Sequence, residues 1–566
     1  MKTPTLTTTL LAALVLAGPQ AVQQAGSTDQ TSPVTFRNDS AAAGIEFVHT
    51  NGASPEKFLV ETMGSGVVLF DYNNDGRLDI FLVDGGALST SVTVRPRHRL
   101  YANRGDGTFD ERGLEAGIRH AAYGQGACAG DIDNDSWNDL YITNLGPNVL
   151  YRNTGKGAFT DISAQAGVAD AKWGASCAFF DVDRDGDLDL FVTNYVDASA
   201  TNNPRCGDTL LKTRDYCHPL VFNPYPNVLY RNDGHGRFTD ISAQAGLVAR
   251  KSNGLGVVVT DVDDDGWPDV FVANDGMPNF LFRNLAGKRF EEKGLLAGVA
   301  VAPDGKPRAG MGVASGDYDG DGRLDLMVTN LWGETHSLFR SMGSGLFAYA
   351  TVESGIGPWT RPFVGFGTAF VDYDNDTNLD LVIVNGAVVD DLSRNRTSGH
   401  QQRPLLLRNV GSRRFQEVGR QAGSAFAEPR VGRGLAAGDI DNDGDLDLLV
   451  TSNGGRTDLL INDGGNSARA LLVRTIGTTS NRNGIGARLV MTVGARTLVR
   501  EIQSGSSYLS QNDMRAHFGL GSAARADRLE VRWPGGRVDV MRDIDAGQLL
   551  TVREGEGIVA REPLRP

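Results

Sequence analysis

An acidic nine-residue loop recurs seven times along the chain, first as DYNNDGRLD at residues 71 to 79. Positions 1, 5 and 9 of the loop are Asp in every copy, and position 3 is Asp in all copies except the first, which has Asn73. Position 6 is Gly except at Ser136 and Thr377. Carboxylates this close together repel one another in a folded chain unless a positive charge lies between them. The repeat therefore predicts a cation site in each loop.

The donor atoms indicate which cation would bind. Oxygens at positions 1, 3 and 5 can converge around the glycine turn, a carbonyl near position 7 can add a ligand, and Asp at position 9 can bind through both oxygens. Hard oxygen donors without His or Cys favour Ca²⁺ over zinc or copper, and Mg²⁺ would keep more water. We predict up to seven calcium ions, with strained or weaker sites in the second and sixth loops. The alternative is seven acidic surface turns without metal. The predicted ligands are Asp71, Asn73, Asp75 and Asp79; Asp131, Asp133, Asp135 and Asp139; Asp181, Asp183, Asp185 and Asp189; Asp261, Asp263, Asp265 and Asp269; Asp317, Asp319, Asp321 and Asp325; Asp372, Asp374, Asp376 and Asp380; Asp439, Asp441, Asp443 and Asp447.

Short apolar runs surround each loop and predict the elements that hold it. In the third repeat they are SCAFF before the loop and LDLFVTN after it, followed by NVLYRN at 227 to 232 and RFTDIS at 237 to 242. Runs of this length, joined by Gly-rich turns, are typical of strands. Repetition at intervals of 50 to 80 residues therefore predicts a series of four-stranded sheets.

A glycine stands seven residues before each loop, and in six repeats a second glycine follows two residues later, with Ser176 in its place in the third. A strand that lacks side chains at a fixed point is one that other backbone approaches closely, as inner strands around a propeller axis do. The residues between these positions include one charged side chain, which argues against acid–base chemistry on the axis. They are Ser65, Gln125, Ala175, Leu255, Met311, Phe366 and Arg433.

The two ends of the repeat region complement each other. The last repeat lacks its fourth strand, whereas VTFRNDSAAAGI at residues 34 to 45 looks like such a strand without a loop of its own. An open solenoid would instead need polar capping repeats. We predict an all-β fold: a seven-bladed β-propeller closed by the N-terminal strand, followed by a small C-terminal β domain.

The loops and the C-terminal sequence together resemble a known family. Loops of the form DxDxDGxxD after a glycine-rich strand resemble the FG-GAP or VCBS repeats of integrin alpha-subunit propellers. Residues 34 to 555 resemble the cartilage acidic protein family, including its ASPIC and UnbV domain, here NRNGIGARL (481 to 489), SYLSQND (507 to 513), HFGLG (517 to 521) and LEVRWPGG (529 to 536). The resemblance implies a propeller at 34 to 465 and an ASPIC and UnbV-like β domain at 466 to 566.

Charge separates the two predicted domains. The whole chain carries a formal charge of -14, which argues against nucleic acid as its partner. Residues 466 to 566 contain 15 Arg and 10 acidic residues, a net charge of +5. We interpret this segment as a small β domain docked on an acidic propeller, with a nucleic-acid site as the alternative.

The N-terminus and the cysteines indicate an exported protein. Lys2 precedes an apolar run from Leu10 to Ala17, which predicts a signal peptide within residues 1 to 26 and a secreted or periplasmic location. No later run has the length of a membrane span. Cys206 and Cys217 are predicted to form a disulfide across a surface excursion. Cys128 and Cys177 are predicted to be buried thiols, or alternatively a second bridge.

From these observations we predict a secreted calcium-binding scaffold for adhesion, or for recognition of an extracellular protein or glycan. No catalytic residue, nucleic-acid partner or transmembrane segment is predicted, and the sequence makes no prediction of oligomeric state. The alternative is an extracytoplasmic enzyme, a lyase or hydrolase, on the same propeller. Its catalytic groups would lie on loops such as NYVDASATNNPRCGD and NDGMPNF. A deep cleft with convergent titratable groups would favour the enzyme, and a flat face the binder.

Overall fold

The protein was analysed as a computed structural model that describes residue 1 and residues 34–89, 96–208, 213–389 and 399–565. The predicted signal peptide lies outside these residues apart from Met1. Helices in the described part are single turns, and none is long and apolar enough to cross a membrane. They are α1 (Ser163–Ala166), α2 (Gly294–Ala297), α3 (Gly357–Thr360) and α4 (Ser424–Ala427), with 3-10 turns at Leu59–Thr62, Pro219–Val221 and Gly465–Ser467.

Strands make up almost all of the regular structure, so the chain is all-β as predicted. The strands up to residue 463 are β1 (Thr35–Asn38), β2 (Val67–Phe70), β3 (Asp79–Leu82), β4 (Arg99–Asn103), β5 (Phe109–Glu111), β6 (Tyr123–Gly130), β7 (Asp139–Leu145), β8 (Val149–Asn153), β9 (Phe159–Asp161), β10 (Gly174–Phe180), β11 (Asp189–Asn194), β12 (Tyr225–Pro226), β13 (Val228–Asn232), β14 (Phe238–Asp240), β15 (Lys251–Ser252), β16 (Gly254–Thr260), β17 (Asp269–Asn274), β18 (Phe280–Asn284), β19 (Phe290–Glu292), β20 (Val313–Gly316), β21 (Asp325–Val328), β22 (Ser337–Gly343), β23 (Leu346–Tyr349), β24 (Gly365–Val371), β25 (Asp380–Asn385), β26 (Leu405–Asn409), β27 (Phe415–Glu417), β28 (Gly432–Gly438), β29 (Asp447–Ser452) and β30 (Asp458–Asp463).

Apart from β12 and β15, which pair only with each other, these strands form four-stranded antiparallel sheets, each with one acidic loop between its first and second strands. In the described residues the sheets are β2-β3-β4-β5, β6-β7-β8-β9, β10-β11-β13-β14, β16-β17-β18-β19, β20-β21-β22-β23, β24-β25-β26-β27 and β28-β29-β30-β1. We call them sheets 1 to 7, and their loops acidic loops 1 to 7. In sheet 7 the fourth strand is β1, which pairs with β30 from Thr35 opposite Asp463 to Asn38 opposite Leu460.

Burial decreases from the first strand of a sheet to the fourth. In sheet 3, β10 and β11 are buried along their whole length, whereas β14 is buried only at Phe238. Strands covered on both faces need continuous apolar sequence, and strands with one wet face alternate. The first strands therefore form the interior of the repeat region, and each acidic loop is anchored to a rigid, buried strand.

The first strands contact one another in sequence, and β28 of sheet 7 contacts β2 of sheet 1. A Cβ atom added at Gly312 would lie 2.1 Å from the Phe366 carbonyl oxygen of the next sheet, and one at Gly434 would lie 2.6 Å from that of Ser65. Contacts that short exclude any side chain, which explains the recurring glycines. The seven residues between the glycine positions, from Ser65 to Arg433, are all buried.

Both pairs of cysteines form disulfides. Cys206 and Cys217 are bonded as predicted, with Cα atoms 5.2 Å apart. Cys128 and Cys177 are also bonded, with Cα atoms 5.8 Å apart. The prediction of two buried thiols is therefore wrong, and its alternative is correct. The physical reason is that β6 and β10 are first strands of adjacent sheets and lie in direct contact.

The C-terminal region forms two further four-stranded sheets, β34-β31-β37-β38 and β33-β32-β35-β36. Its hydrophobic residues share one core with those of sheets 2 to 4. It lies over the acidic loops, where Arg488 pairs with Asp264 of loop 4 and Arg515 donates to the Asp439 carbonyl of loop 7 at 2.6 Å. Its strands are β31 (Arg469–Ile476), β32 (Arg488–Val493), β33 (Arg496–Glu501), β34 (Ala516–Gly521), β35 (Arg525–Arg532), β36 (Val538–Asp545), β37 (Gln548–Arg553) and β38 (Gly557–Pro563).

Candidate metal centre

The Asp at position 1 holds the turn of each loop. In loop 3, one oxygen of Asp181 accepts the Asp185 amide at 3.1 Å, and the other accepts the Gly186 amide at 3.0 Å. The bond from the position-6 amide recurs in all seven loops. The loop is therefore closed around this carboxylate before any cation is considered.

The Asp at position 9 begins the second strand and ties the loop to its sheet. In loop 3, Asp189 accepts the Val182 amide at 2.7 Å and the Asn232 amide of β13 at 2.8 Å. The equivalent pair of bonds is present in every loop. Each carboxylate oxygen has one further lone pair, so position 9 remains able to bind a cation.

At position 3 one carboxylate oxygen regularly lacks a hydrogen-bond donor, whereas at position 1 this is found only for Asp372 of loop 6 among the described loops. In six loops the Oδ1 atom at this position is buried and accepts no hydrogen bond from the described residues. Burial of a charged oxygen without a partner is costly. These oxygens are therefore available to a cation. The six residues are Asp133, Asp183, Asp263, Asp319, Asp374 and Asp441.

The predicted ligands converge to different degrees. In loops 2, 3, 5 and 6, carboxylate oxygens from positions 1, 3 and 9 all lie within 4.8 Å of one another. In loop 4 the converging positions are 1, 3 and 5. The position-5 carboxylate also accepts the position-7 backbone amide, both in loop 3, where Asp185 accepts from Asp187 at 3.0 Å, and in loop 4, where Asp265 accepts from Trp267 at 3.0 Å. The converging atoms are all carboxylate oxygens, and at least one of them accepts no hydrogen bond. This set of donor atoms fits a hard divalent cation such as Ca²⁺.

The electrostatics of the loops also favour a bound cation. Burial raises the pKa of Asp131 to about 7 and the pKa values of Asp79 and Asp269 to about 8. Neighbouring carboxylates raise these values further, whereas backbone hydrogen bonds oppose the shift. Burial also raises the pKa of Asp189 well above its ordinary value. A cation would supply the charge that keeps these groups ionised at neutral pH.

Loops 2 and 6 lack a glycine at position 6, and in loop 6 the position-1 oxygen that accepts the position-5 amide in the other loops, here Asp372 Oδ1, has no hydrogen-bond partner among the described residues. Ser136 has φ +74° and Thr377 has φ +82°, and both amides still bond to the position-1 carboxylate, at 2.6 and 3.0 Å. This backbone conformation is unfavourable for a side chain and most unfavourable for a β-branched one. The unfavourable backbone conformation is thus located at these two residues, and carboxylate oxygens of positions 1, 3 and 9 converge in both loops.

The sequence interpretation missed a buried Asn that ends the third strand of six sheets. Asn153 donates to the Asn138 carbonyl of its own loop at 3.2 Å and to the Tyr72 carbonyl of loop 1 at 2.8 Å. The same link joins loop 7 to sheet 1, where Asn103 donates to Ile440 at 3.0 Å. The signal for four of the six was the repeated RN of LYRN, LFRN and LLRN, whereas Asn103 follows Ala102 and Asn462 follows Ile461. The six are Asn103, Asn153, Asn232, Asn284, Asn409 and Asn462.

The Arg before this Asn often pairs with the outer oxygen at position 3. Arg283 contacts Asp263 Oδ2 at 2.6 Å, and Arg408 contacts Asp374 Oδ2 at 2.8 Å. Each pairing leaves Oδ1, the inner oxygen, without a partner. The arginine therefore orients the carboxylate with one oxygen toward the position where a cation would lie.

Comparison with known proteins gives matches to both regions. FG-GAP-like repeats match residues 71–142, 131–192, 220–272 and 261–328, and an ASPIC and UnbV domain matches residues 477–559. Cartilage acidic protein 1 of Homo sapiens is 30% identical over 321 residues, which is 56% of this chain and 46% of that protein. The Mus musculus protein is 29% identical over 322 residues, 56% of this chain and 47% of that protein. The chain thus spans about half the length of these relatives.

A solved structure of an Agrocybe aegerita lectin, described as recognising non-reducing terminal N-acetylglucosamine, is similar at 16% identity and a TM-score of 0.36. The match covers 69% of this chain and 87% of the lectin. A TM-score at that level carries no functional information. By sequence, the chain carries FG-GAP-like repeats followed by an ASPIC and UnbV domain, and the predicted resemblance to the cartilage acidic protein family is confirmed.

Proposed function

We propose that this protein is a secreted calcium-binding scaffold, built on a closed seven-bladed propeller, that binds an extracellular protein or glycan. The observation that carries the calcium assignment is the buried, unpartnered Oδ1 atom at position 3 of six acidic loops. Up to seven ions would be held by the 28 predicted ligands, chiefly at positions 1, 3 and 9. The ions would neutralise loops that otherwise resist ionisation and would thereby stabilise the fold.

One strand pairing within sheet 7 and two contacts between sheets 7 and 1 support ring closure by the N-terminal strand. The β1–β30 pairing uses residues from both ends of the repeat region. Thr451 of sheet 7 donates to the Ser65 carbonyl of sheet 1 at 2.6 Å, as Thr193 of sheet 3 does to Leu255 of sheet 4 at 2.8 Å. Asn103 makes the corresponding link between loops. The same types of contact therefore occur at this junction as between sheets that are consecutive in sequence.

A partner would meet the face opposite the acidic loops, because the C-terminal region covers much of the loop face. The disulfide-closed excursion lies on that opposite face, where Tyr216 donates to Glu61 at 3.0 Å and Asn203 to the Glu56 carbonyl at 2.8 Å. Leu220 and Val221 of the same excursion are exposed. We propose this surface, presented by loops between sheets, as the recognition surface.

One observation favours the enzyme as a second candidate. The two segments in which the sequence places possible catalytic groups meet, because Tyr195 donates to Asp275 at 2.5 Å. Burial raises the pKa of Asp275 to about 6, and the charge of His218 opposes the shift. A buried carboxyl of this kind is suited to proton transfer. If Asp275→Asn abolishes a glycan-cleaving activity of the full chain while calcium binding is unchanged, the enzyme is the better assignment.

Calcium binding can be tested at one site by titration calorimetry with Asp263→Asn in loop 4. We expect one site fewer than in the wild-type chain, because Asp263 supplies the unpartnered oxygen. Asp304→Asn is the matched control, since its carboxylate is exposed and pairs with Arg308 outside the loops. Equal calcium stoichiometry in both variants and the wild type would contradict the assignment. A protein and glycan array, probed with and without calcium, then tests recognition.

A further inference from the structure

An eleven-residue segment of the C-terminal region enters the interior of the repeat region. The segment runs from Gln503 to Asp513 between β33 and β34, and we call it the strap. Ser507, Tyr508 and Leu509 at its centre are at most 1% exposed. A loop so deeply buried must satisfy its backbone groups through contacts with its surroundings.

The strap forms backbone hydrogen bonds with the first strands of the sheets, as an additional β-strand would. Ser507 and Val313 of sheet 5 exchange two backbone hydrogen bonds, at 2.7 and 2.8 Å. Gln511 donates to Val67 at 2.9 Å and accepts from Leu69 of sheet 1 at 3.2 Å. The strap therefore joins sheets that are not neighbours in sequence.

Every one of sheets 1 to 7 contributes a hydrogen bond to the strap. Besides Val67 and Val313, the contacts are Ala127 N to Leu509 O at 3.2 Å, Leu509 N to Ser176 Oγ at 3.2 Å, Gln503 Nε2 to Val259 O at 3.3 Å, Thr368 N to Ser507 Oγ at 3.1 Å and Asp513 N to Ala437 O at 3.0 Å. No single sheet holds the strap, which lies where the seven first strands converge.

Side chains at the tip fill the remaining space. The Tyr508 ring packs edge-on against Phe366, with centroids 4.9 Å apart, and its hydroxyl donates to the Met63 carbonyl at 3.2 Å. The Arg433 guanidinium lies 3.8 Å from the centroid of Phe366, and both residues are buried. The strap and the axis residues thus form one packed cluster.

The sequence of the ring is fitted to the strap. A Cβ atom at Gly66 would lie 2.0 Å from the Leu509 carbonyl oxygen. Ser176, the single departure from the paired glycines, supplies the hydroxyl that accepts the Leu509 amide. Ser507 and Leu509 adopt φ +61° and +56°, a strained conformation that persists only where surrounding contacts impose it. These features point to a specific fit between strap and ring.

We infer that the strap is an internal clamp: it occupies the axis of the repeat region and holds all seven sheets together. The axis is then closed to an external ligand, and the strap opens only when the first strands separate. The clamp rests on the contacts of the strap and does not require calcium in the loops, so failure of the calcium assignment would leave it standing.

Hydrogen exchange on the full chain tests the clamp with two matched variants. Gly66→Ala places a methyl group against the strap, whereas Gly256→Ala places one against Met311 of the next sheet at 2.4 Å, with Val313 next nearest. We expect the Leu509 and Gln511 amides to exchange at least tenfold faster in Gly66→Ala than in Gly256→Ala. In the wild type they should exchange as slowly as the amides of Val67 and Val313.

Equal acceleration of the strap amides in both variants would overturn the clamp, as would strap amides that exchange faster than those of the first strands in the wild type. If Gly66→Ala does not fold, Ser176→Ala provides the test. It removes one acceptor from the strap and should accelerate exchange at Leu509 severalfold with sheets 1 to 7 intact. No change at Leu509 would then contradict the clamp.

Discussion

Two regions of the molecule bury carboxylates in opposite ways. Glu554 in the C-terminal region is 2% exposed and accepts the amides of Thr478, Thr479 and Ser480 at 2.8, 2.8 and 2.9 Å, together with two hydroxyls. Burial opposes its ionisation, yet these hydrogen bonds lower its pKa to about 2. The acidic loops bury carboxylates with fewer donors, and there burial raises the pKa. Where the protein supplies enough donors a buried anion is stable alone, and where it does not a cation is required.

Chelation of calcium is the test of this comparison with the largest expected effect on stability. With a Kd of ~0.1 mM, typical of extracellular sites, ~1 mM calcium would stabilise the fold by about 1.4 kcal/mol per site, or on the order of 10 kcal/mol for seven sites. Thermal melts in calcium, magnesium and excess chelator measure this, and the chelator curve should lie far below the calcium curve. Three superimposable curves would contradict structural calcium in the loops.

Lowering the pH of the chelated protein should restore part of the stability that bound calcium would supply. The pKa values of Asp79 and Asp269 are raised to about 8, so their stabilising contribution is present at low pH and is lost as pH rises through 8. Lowering the pH from 8 to 6 should therefore raise stability by roughly 2 kcal/mol for each such carboxyl. In saturating calcium the trend should weaken or reverse, because protons then compete with the ion. A chelated protein that loses stability over this range would contradict the raised pKa values.

Removing the Glu554 carboxylate, which accepts several hydrogen bonds, should lower the stability of the protein equally with and without calcium. Glu554→Ala leaves three backbone amides without their acceptor and should lower the free energy of unfolding by ~3 kcal/mol in calcium and in chelator alike. Because its pKa is lowered, the contribution of Glu554 is present at neutral pH and disappears only as pH falls toward 2. Denaturant unfolding of both states measures the loss. A loss of stability that appears only in calcium would contradict this prediction, because the contribution of Glu554 would then depend on the acidic loops.

The smallest effect is expected from relieving strain within a loop. Thr377→Gly removes a β-branched side chain from a residue at φ +82° and should stabilise the protein by about 1 kcal/mol. Gly322→Thr introduces the reverse change at the same position of loop 5, where φ is +88°. It should destabilise by at least as much. Denaturant titrations in calcium measure the stability change of each variant. Changes of the same sign in Thr377→Gly and Gly322→Thr would contradict the prediction.

The sequence predicted the parts of this fold that depend on local repetition. Short apolar runs, turn glycines and the period of the loops were sufficient to predict the four-stranded sheets and the place of each acidic loop between two strands. The fourth strand of sheet 7 was predictable because one repeat lacked a strand and residues 34 to 45 offered one. The Cys206–Cys217 bridge followed from short spacing within one excursion.

Features that depend on how distant segments approach could not be predicted. Cys128 and Cys177 lie 49 residues apart on different sheets, and only the contact of β6 with β10 brings them together. SYLSQND was noticed as a motif, but nothing local to it indicates that it bonds to the first strands of six sheets. The loop-linking Asn residues were visible as a repeated letter, whereas their acceptors belong to neighbouring repeats.

The pairing of β1 with β30 has a consequence for how the chain reaches its fold. Arg37 of β1 and Asp463 of β30, whose side chains form an ion pair, are 426 residues apart in sequence. Closing a loop of this length costs about 5 kcal/mol of chain entropy, in addition to the constant cost of closing any loop. Such high contact order slows folding. During synthesis β1 must remain without its partner until nearly the whole repeat region has emerged, so an exposed strand edge is an intrinsic aggregation hazard for the nascent chain.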